Sequence, residues 1–345
     1  MNKFGLFGLF ALLAAFYFAP AQAQTSGKII YTTPSGASWP LWIGVEGGYY
    51  KKYGLDLSTK FGRHPAGIAG VISGDAIMTN YGSDSAITAA SKSDKLVLIG
   101  SPLNVGSFVL MGGKGLKTVK DIEGKRFAIG RVGDPPYHYT LGLLAKLGID
   151  WKNIHWVPAG APPARAAALV KGQVDASLLT APSYYRLEKA GFPVLERMSN
   201  HRDVVISTYY VVRRELVTSN PKAAEGLIKA HAEAVNRFYT DPAFAMAAMK
   251  KYTRNKKPGP LKRVYKEWAD GQMLERIPYI LKPSLAGVVS RNKNRKRAPK
   301  NINFSTMVNN GIVDKLAREG FFEKVYGPSI RAEIKDRRAK AHGFN

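Results

Sequence analysis

Cysteine is absent from all 345 residues of this sequence. The absence excludes disulfide bonds, so the fold depends on a hydrophobic core, which a chain of this length can supply. It also excludes a lipid-modified cysteine as a membrane anchor. Two catalytic patterns are missing as well, the Gly-x-Ser-x-Gly nucleophile elbow and the His-Glu-x-x-His zinc motif.

Acidic residues are scarce, with 25 Asp and Glu against 51 Lys and Arg, and the formal net charge is +26. The imbalance is greatest between residues 250 and 300, where the cluster Arg291–Arg297 has the composition of a nucleic-acid-binding patch. Because the chain begins with an export signal, described next, we expect no nucleic-acid partner. The cluster is interpreted as a solvated basic surface, with weak attraction to anionic lipid headgroups or an acidic partner left open.

Long apolar runs are also missing after the first twenty residues. Lys3 precedes the apolar stretch Phe4–Ala19, and Ala21-Gln22-Ala23 has the A-x-A form of a cleavage site. The stretch is short for a membrane span, so we predict a cleaved signal peptide over residues 1–23. An exported chain without a lipid anchor is retained by an outer membrane, which indicates a Gram-negative periplasm.

The mature chain contains two similar α/β patterns. In Ala166–Phe192, a helix ends at Gly172, a short apolar strand follows, and a new helix starts after Thr180-Ala181-Pro182-Ser183. Ile68–Ser85 repeats this order and opens its second helix at Gly82-Ser83-Asp84. Ligands of α/β sheets bind at such strand-to-helix loops, where free backbone N–H groups favour anions. We therefore expect two lobes with a ligand cleft between them.

The order of elements gives the domain division. Alternating strands and helices predict doubly wound α/β sheets, and β-rich runs near Phe108–Gly113 and Ser207–Val212 are suited to cross between lobes. After Val212 the pattern is helical only, as at Asn220-Pro221 and Asp241-Pro242, where a capping residue precedes a proline. We predict lobe one over 28–112 and 204–345, with the helical tail packed on it, and lobe two over 113–203.

Several segments resemble one family in order and spacing. They are Glu46–Asp56 (EGGYYKKYGLD), Ser73–Ala76 (SGDA), Thr118–Arg126 (TVKDIEGKR), Gly172–Ala176 (GQVDA) and Lys189–Phe192 (KAGF). The sequence is similar to the substrate-binding proteins of ABC importers for nitrate, taurine and aliphatic sulfonates, also described as NMT1/THI5-like. The resemblance covers most of the mature chain.

This resemblance implies a two-lobed periplasmic-binding-protein fold of type II, which closes on a ligand by a hinge. It also implies that ligand-binding residues lie in the loops that follow the strands. The candidates are Ser38, Trp39, His64, Ser83, Asp84, Gly133, Asp134, Tyr137, His138, Thr180, Pro182 and Tyr184. The expected solute is small and anionic or zwitterionic, of the sulfonate, taurine, nitrate or carboxylate class, with Asp84 suited to an ammonium group.

The resemblance further implies that the chain is not an enzyme and delivers its solute to an ABC permease in the inner membrane. We expect no cofactor, no bound metal and a monomer. Two alternatives remain open at this stage. One is a thiamine-pyrimidine-precursor-binding or synthase-like enzyme, although such synthases carry a Cys-rich motif that this chain lacks. The other is a sensor subunit that presents its ligand to a membrane receptor.

Overall fold

The computed structural model describes residues 25–62, 64–103, 105–133, 135–201, 207–253, 258–292 and 302–344. The predicted signal peptide, Asp134 and residues 293–297 of the basic cluster lie outside these ranges, as does the side chain of His64.

The described ranges contain ten strands and sixteen α-helices. The strands are β1 (Thr25–Tyr31), β2 (Leu55–Phe61), β3 (Met78–Gly82), β4 (Leu96–Leu103), β5 (Phe108–Gly112), β6 (Arg126–Ile129), β7 (His155–Pro158), β8 (Ala176–Thr180), β9 (Val194–Arg197) and β10 (Thr208–Arg213). The helices are α1 (Trp39–Glu46), α2 (Tyr49–Lys52), α3 (His64–Ser73), α4 (Ser83–Ala90), α5 (Pro135–Lys146), α6 (Pro162–Val170), α7 (Tyr185–Lys189), α8 (Arg214–Ser219), α9 (Pro221–Thr240), α10 (Pro242–Tyr252), α11 (Pro258–Asp270), α12 (Lys282–Asn292), α13 (Phe304–Met307), α14 (Gly311–Arg318), α15 (Phe321–Tyr326) and α16 (Arg331–Lys340). Short 3₁₀ turns lie at Gly36–Ser38, Val119–Ile122, Trp151–Asn153, Met198–Asn200 and Pro328–Ile330.

The strands form two five-stranded sheets, in the orders β2-β1-β3-β10-β4 and β7-β6-β8-β5-β9. In the first sheet β1 runs parallel to β2 and β3, whereas β10 runs antiparallel to β3 and β4. In the second sheet β6 runs parallel to β7 and β8, whereas β5 runs antiparallel to β8 and β9. The α/β class is confirmed, but the sheets are mixed. The strand that enters each sheet after a crossing, β5 or β10, comes from the cleft end and therefore runs against its neighbours.

Strand β5 belongs to the second sheet. Phe108 pairs with Thr180 and Gly112 pairs with Ala176, so the chain has already left the first sheet before residue 108. The sequence predicts the first crossing at the end of this segment, whereas the structure places it before Phe108. Below, lobe one denotes the first sheet with α1–α4 and α8–α16, and lobe two denotes the second sheet with α5–α7. The chain passes between the lobes twice, and the described residues of these two passages are 105–107 in the first and 198–201 with 207 in the second.

The helical tail is built into lobe one. Asn220 and Asp241 cap α9 and α10 through their side chains, which accept hydrogen bonds from Ala223 N at 3.2 Å and Phe244 N at 3.0 Å. One face of α9 is buried against the first sheet and α1, and its side chains include Leu227, Ile228, His231, Val235 and Phe238. The tail therefore contributes to the main core, which fixes α10 and α11 beside the cleft. Within the described ranges, no helix combines the length and apolar character needed to cross a bilayer.

Candidate functional site

A cavity of about 490 Å³ lies between the two lobes. Lobe one contributes the loop after β1, from Pro34 to Gly36, and residues of α10, α11 and the turn after α11. Lobe two contributes the end of β8 with the loop that follows it, and the end of β9. Both passages contribute to the wall, through Gly106 and Ser107 and through Ser199. Any movement of one lobe against the other therefore changes the shape of this cavity.

Lobe two and the passages contribute one group of polar side chains to the cavity wall. Ser107, Thr180 and Ser199 supply hydroxyl groups in this group. Arg197 is the one cation among the lining residues that the structure describes, and its Nη2 donates to Glu188 Oε1 at 2.9 Å. Hydroxyl and guanidinium donors are suited to an anionic head group.

The helical tail of lobe one contributes an apolar group to the wall, beside the carboxylates of Glu267 and Asp270. The apolar group consists of Met249, Val264, Trp268 and Met273, all of them buried. The Trp268 ring packs against the backbone of Gly36, where an added Cβ would lie 2.2 Å from Trp268 Cε2. The loop after β1 can approach this ring because residue 36 has no side chain. The cavity wall therefore contains an apolar group of side chains as well as hydroxyl and guanidinium donors.

Glu267 contributes a carboxylate to the wall and joins the two lobes. Its Oε2 accepts hydrogen bonds from Tyr184 Oη at 2.5 Å and Tyr185 Oη at 3.0 Å, and its Oε1 accepts from Arg263 Nε at 3.1 Å. Burial, reinforced by the neighbouring carboxylate, raises the pKa of both tyrosines. Both phenols therefore stay protonated at neutral pH and act as donors.

Three of the predicted site residues line this cavity, namely Thr180, Pro182 and Tyr184. They occupy the strand-to-helix loop on which the sequence analysis centred. Thr180 ends β8 and is half-buried, Pro182 is exposed, and Tyr184 precedes α7 with its ring buried.

Ser38 and Trp39 lie behind the cavity wall. Both are fully buried, with Ser38 Oγ donating to Thr33 O at 2.7 Å and Trp39 Nε1 donating to Ala245 O at 2.6 Å. The Trp39 ring meets Trp268 edge-on at 5.9 Å. These two side chains support the wall, whereas a direct role in ligand binding stays a prediction.

Ser83 and Asp84 open α4 directly after β3, as the internal repeat predicted, and both are buried. Ser83 N donates to Ser207 O at 3.0 Å, which ties the loop to the second passage. Ser83 Oγ donates to Asp84 Oδ2 at 3.3 Å. Neither residue is among those that line the cavity, so the two loops of the repeat do not meet there.

The remaining candidates lie near the start of α5. Gly133 has a φ of +84°, a conformation that favours glycine. Tyr137 is half-buried and packs on Trp156 with ring centroids 5.1 Å apart, and His138 is buried beside it. None of these residues lines the cavity. In the described ranges, no group of three or more metal-ligating side chains is arranged to hold a metal ion.

The predicted site residues include none from α11, although a helix is expected in this part of the chain. Leu261, Val264 and Trp268 recur at spacings of three and four, which is the pattern of a helix with one apolar face. That pattern indicates a packed helix, but it does not indicate that the packed face borders a cleft.

Two α/β lobes, joined by two passages and enclosing a cavity, define the class of the molecule as a two-lobed periplasmic-binding-protein fold. The family model described as NMT1/THI5 like matches residues 37–245, more than half of the chain. The chain therefore belongs to the NMT1/THI5-like family.

Known proteins agree with this assignment. The taurine-binding periplasmic protein of Escherichia coli K12 is 26% identical over 238 residues, which cover 67% of this chain and 72% of that protein. The solved structure of a sulfonate ABC transporter's periplasmic binding protein, SsuA of Methylobacillus flagellatus KT, superposes with a TM-score of 0.73 at 19% identity. That match covers 89% of this chain and 97% of the other.

The same fold occurs in an enzyme. The desulfurization enzyme DSZB superposes with a TM-score of 0.60 at 15% identity, over 85% of this chain and 99% of the other. At this identity the likeness concerns the fold alone. The fold therefore does not distinguish a binding protein from an enzyme, and only the residues of the site can do so.

Proposed function

We propose that this protein is the solute-binding component of an ABC importer, which captures a small organic solute between its lobes and delivers it to a membrane permease. The observation that carries this proposal is the cavity whose walls come from both lobes and both passages. A solute held there touches both lobes, so it favours their closed arrangement over the open one. The 26% identical taurine-binding protein supports the same role.

The solute is an organic anion or zwitterion with an apolar portion. Its charged head lies at Arg197, Thr180 and Ser199, and its apolar portion lies against Trp268 and Met273. Nitrate is disfavoured as the solute because it has no apolar portion to contact Trp268 and Met273. A volume of about 490 Å³ is within the range of pockets for organic ligands.

The role is binding without catalysis, and the setting is the periplasm. The chain lacks the thiol of a cysteine nucleophile, and the ionisable groups of the wall are held in ion pairs and hydrogen bonds. We propose that the export signal over residues 1–23 is removed and that the mature protein acts as a monomer on an inner-membrane permease. N-terminal sequencing of the exported protein is expected to find Gln24 first.

A panel of related solutes tests the proposal. The purified chain from residue 24 onward is titrated calorimetrically with nitrate, taurine, propanesulfonate, pentanesulfonate, benzenesulfonate and benzoate. We expect the solutes with an apolar portion to bind, and affinity to rise by up to about fourfold for each methylene buried. Arg197→Gln is expected to weaken binding about tenfold or more, because the head group loses its cation.

The matched control is Arg237→Gln, which removes an exposed arginine that pairs with Asp241 on lobe one, away from the cavity. Its affinity should equal that of the wild type. If no member of the panel binds, or if Arg197→Gln binds as tightly as the control, the cavity is not the solute site.

A further inference from the structure

A cluster of six side chains joins α11 of lobe one to the region around α7 of lobe two. We call it the interlobe clasp, and it consists of Tyr184, Tyr185, Glu188, Arg197, Arg263 and Glu267. Lobe two contributes the first four residues, and α11 contributes Arg263 and Glu267.

Arg263 is the ionic centre of the clasp. Its Nη2 donates to Glu188 Oε2 at 2.5 Å across the lobe boundary, and its Nε donates to Glu267 Oε1 at 3.1 Å on its own helix. Its guanidinium also stacks on the Tyr185 ring, with Cζ 4.0 Å from the ring centroid. One cation thus bridges two carboxylates on different lobes and covers an aromatic ring.

Glu267 also connects the lobes, as an acceptor on lobe one for donors on lobe two. Its carboxylate accepts from both tyrosine hydroxyls of lobe two while it is held by Arg263. Glu188 also accepts a hydrogen bond from Arg197. Arg197 is therefore connected to lobe one through Glu188, and the other members of the clasp contact the opposite lobe directly. Such a network is stronger than isolated surface pairs, because each ordered side chain serves more than one contact.

Three members of the clasp also line the cavity, namely Tyr184, Arg197 and Glu267. Arg263 does not line it. When the lobes separate, Glu267 leaves Tyr184, and Glu188 keeps Arg197 but loses Arg263. The position of two cavity groups on lobe two therefore depends on a helix of lobe one.

We infer that Arg263 and Glu267 are positioning residues of the solute site, which hold Tyr184 and Arg197 in the cavity wall and couple that arrangement to lobe closure. The ligand part of this inference rests on the proposed function, whereas the closure part does not. Loss of the clasp shifts the lobes toward the open arrangement. Part of the binding free energy of the solute is then used to close the lobes. The apparent affinity equals the affinity of the closed form multiplied by the fraction of molecules that are closed.

Closure is measured without any solute. The absence of native cysteine allows Ser58→Cys and Asn153→Cys to be introduced in the full mature chain and labelled with a fluorescent pair. Ser58 lies on β2 and Asn153 lies just before β7, the edge strands of the two sheets. Both side chains are exposed, and both strands lie far from the passages, so their separation reports lobe opening.

Arg263→Gln in this labelled chain is expected to lower energy transfer, and Arg263→Lys is expected to restore part of it because the charge is kept. The control is Lys315→Gln. Lys315 also bridges two carboxylates, Glu319 four residues on and Glu225 on another helix, but all three lie within lobe one. The exposures of Arg263 and Lys315 are alike, at 42% and 45%. High salt should open the wild type and leave Arg263→Gln unchanged.

Pentanesulfonate titration gives the second readout. Arg263→Gln should bind it about three- to tenfold more weakly, and a cooperative melting curve checks that the variant is folded. Equal energy transfer in Arg263→Gln and Lys315→Gln overturns the clasp, even if the solute panel binds to the wild type. A changed energy transfer combined with no binding of the panel supports the clasp and overturns the proposed function. A changed energy transfer with unchanged pentanesulfonate affinity overturns the coupling.

Discussion

Gly36 illustrates how one residue shapes the cavity. The loop after β1 lies flat on the Trp268 ring, and any Cβ at this position would overlap the indole. We predict that Gly36→Ala lowers the free energy of unfolding by about 1–3 kcal/mol, because the ring or the loop has to move. Denaturant unfolding measures this change. Gly115→Ala is the control, since an added Cβ meets nothing within 4 Å there, and equal stability losses in the two variants would contradict the prediction.

Substitutions at Thr180 and Ser83 distinguish a residue that lines the cavity from one that lies behind its wall. Thr180 lines the cavity, whereas Ser83 is buried beside the second passage. We predict that Thr180→Val weakens pentanesulfonate binding by about tenfold or less, since a neutral hydrogen bond contributes roughly 0.5–1.5 kcal/mol. Ser83→Ala should leave the affinity unchanged. Calorimetric titration with melting curves tests both, and the reverse order of effects would place the solute at α4.

A local sequence pattern predicts the position of a loop better than the orientation of the side chains in it. A strand that ends at a helix start predicts where a loop lies, and the loop after β8 lines the cavity through Thr180, Pro182 and Tyr184. It does not predict which side of a loop residue faces the cleft. Trp39 is an aromatic residue in a predicted site loop, as is common in cavity walls. Its indole N–H nevertheless donates to the backbone oxygen of Ala245, which lies 206 residues further along the chain. Such a partner is set by tertiary packing.

His231, on the inner face of α9, makes this helix sensitive to acid. Nε2 donates to Glu275 O at 2.8 Å, so Nδ1 accepts from Tyr210 Oη at 2.9 Å in the neutral ring. Burial lowers the pKa of His231 to about 4. Because the unfolded chain binds this proton near pH 6.5, the folded state loses stability as the pH falls from about 7 toward 4.

We predict that His231 accounts for about 2 kcal/mol of the stability lost between pH 7 and pH 5. Urea unfolding at both pH values measures this loss in the wild type and in His231→Gln. Glutamine offers one donor and one acceptor but does not titrate, so the variant should lose correspondingly less. A pH dependence equal to that of the wild type would show that His231 is not the group responsible.

Elements with strong local signals were predicted well, and elements defined by their partners were not. The capped starts of α9 and α10 and the strand that follows each Gly-capped helix are set by short-range chemistry. The sheet that receives β5 depends on its pairing with β8, which starts 64 residues after β5 ends, and a β-rich run fits either sheet. For α11, the spacing of the apolar residues predicts a packed face, but only the packed tail shows that this face borders the cavity.

At the scale of the whole molecule, the passages and the clasp both connect the lobes around one cavity. The passages connect them covalently, and α11 contacts the region around α7 through the side chains of the clasp. If the passages act as the hinge, as we propose, opening breaks the clasp. The binding energy of the solute and the clasp contacts favour the same closed arrangement, so the two should add in their effect on shape.

We predict a compaction that depends on both contributions. Small-angle scattering should give a smaller radius of gyration for the wild type with saturating pentanesulfonate than without it. Arg263→Gln should start more expanded and contract further on binding, because the solute then supplies closure that the clasp no longer favours. Arg197→Gln, which holds the solute poorly, should contract little at the same concentration. Identical profiles for all three proteins, with and without pentanesulfonate, would show that the lobes do not move as a hinge, whatever the affinity of the cavity.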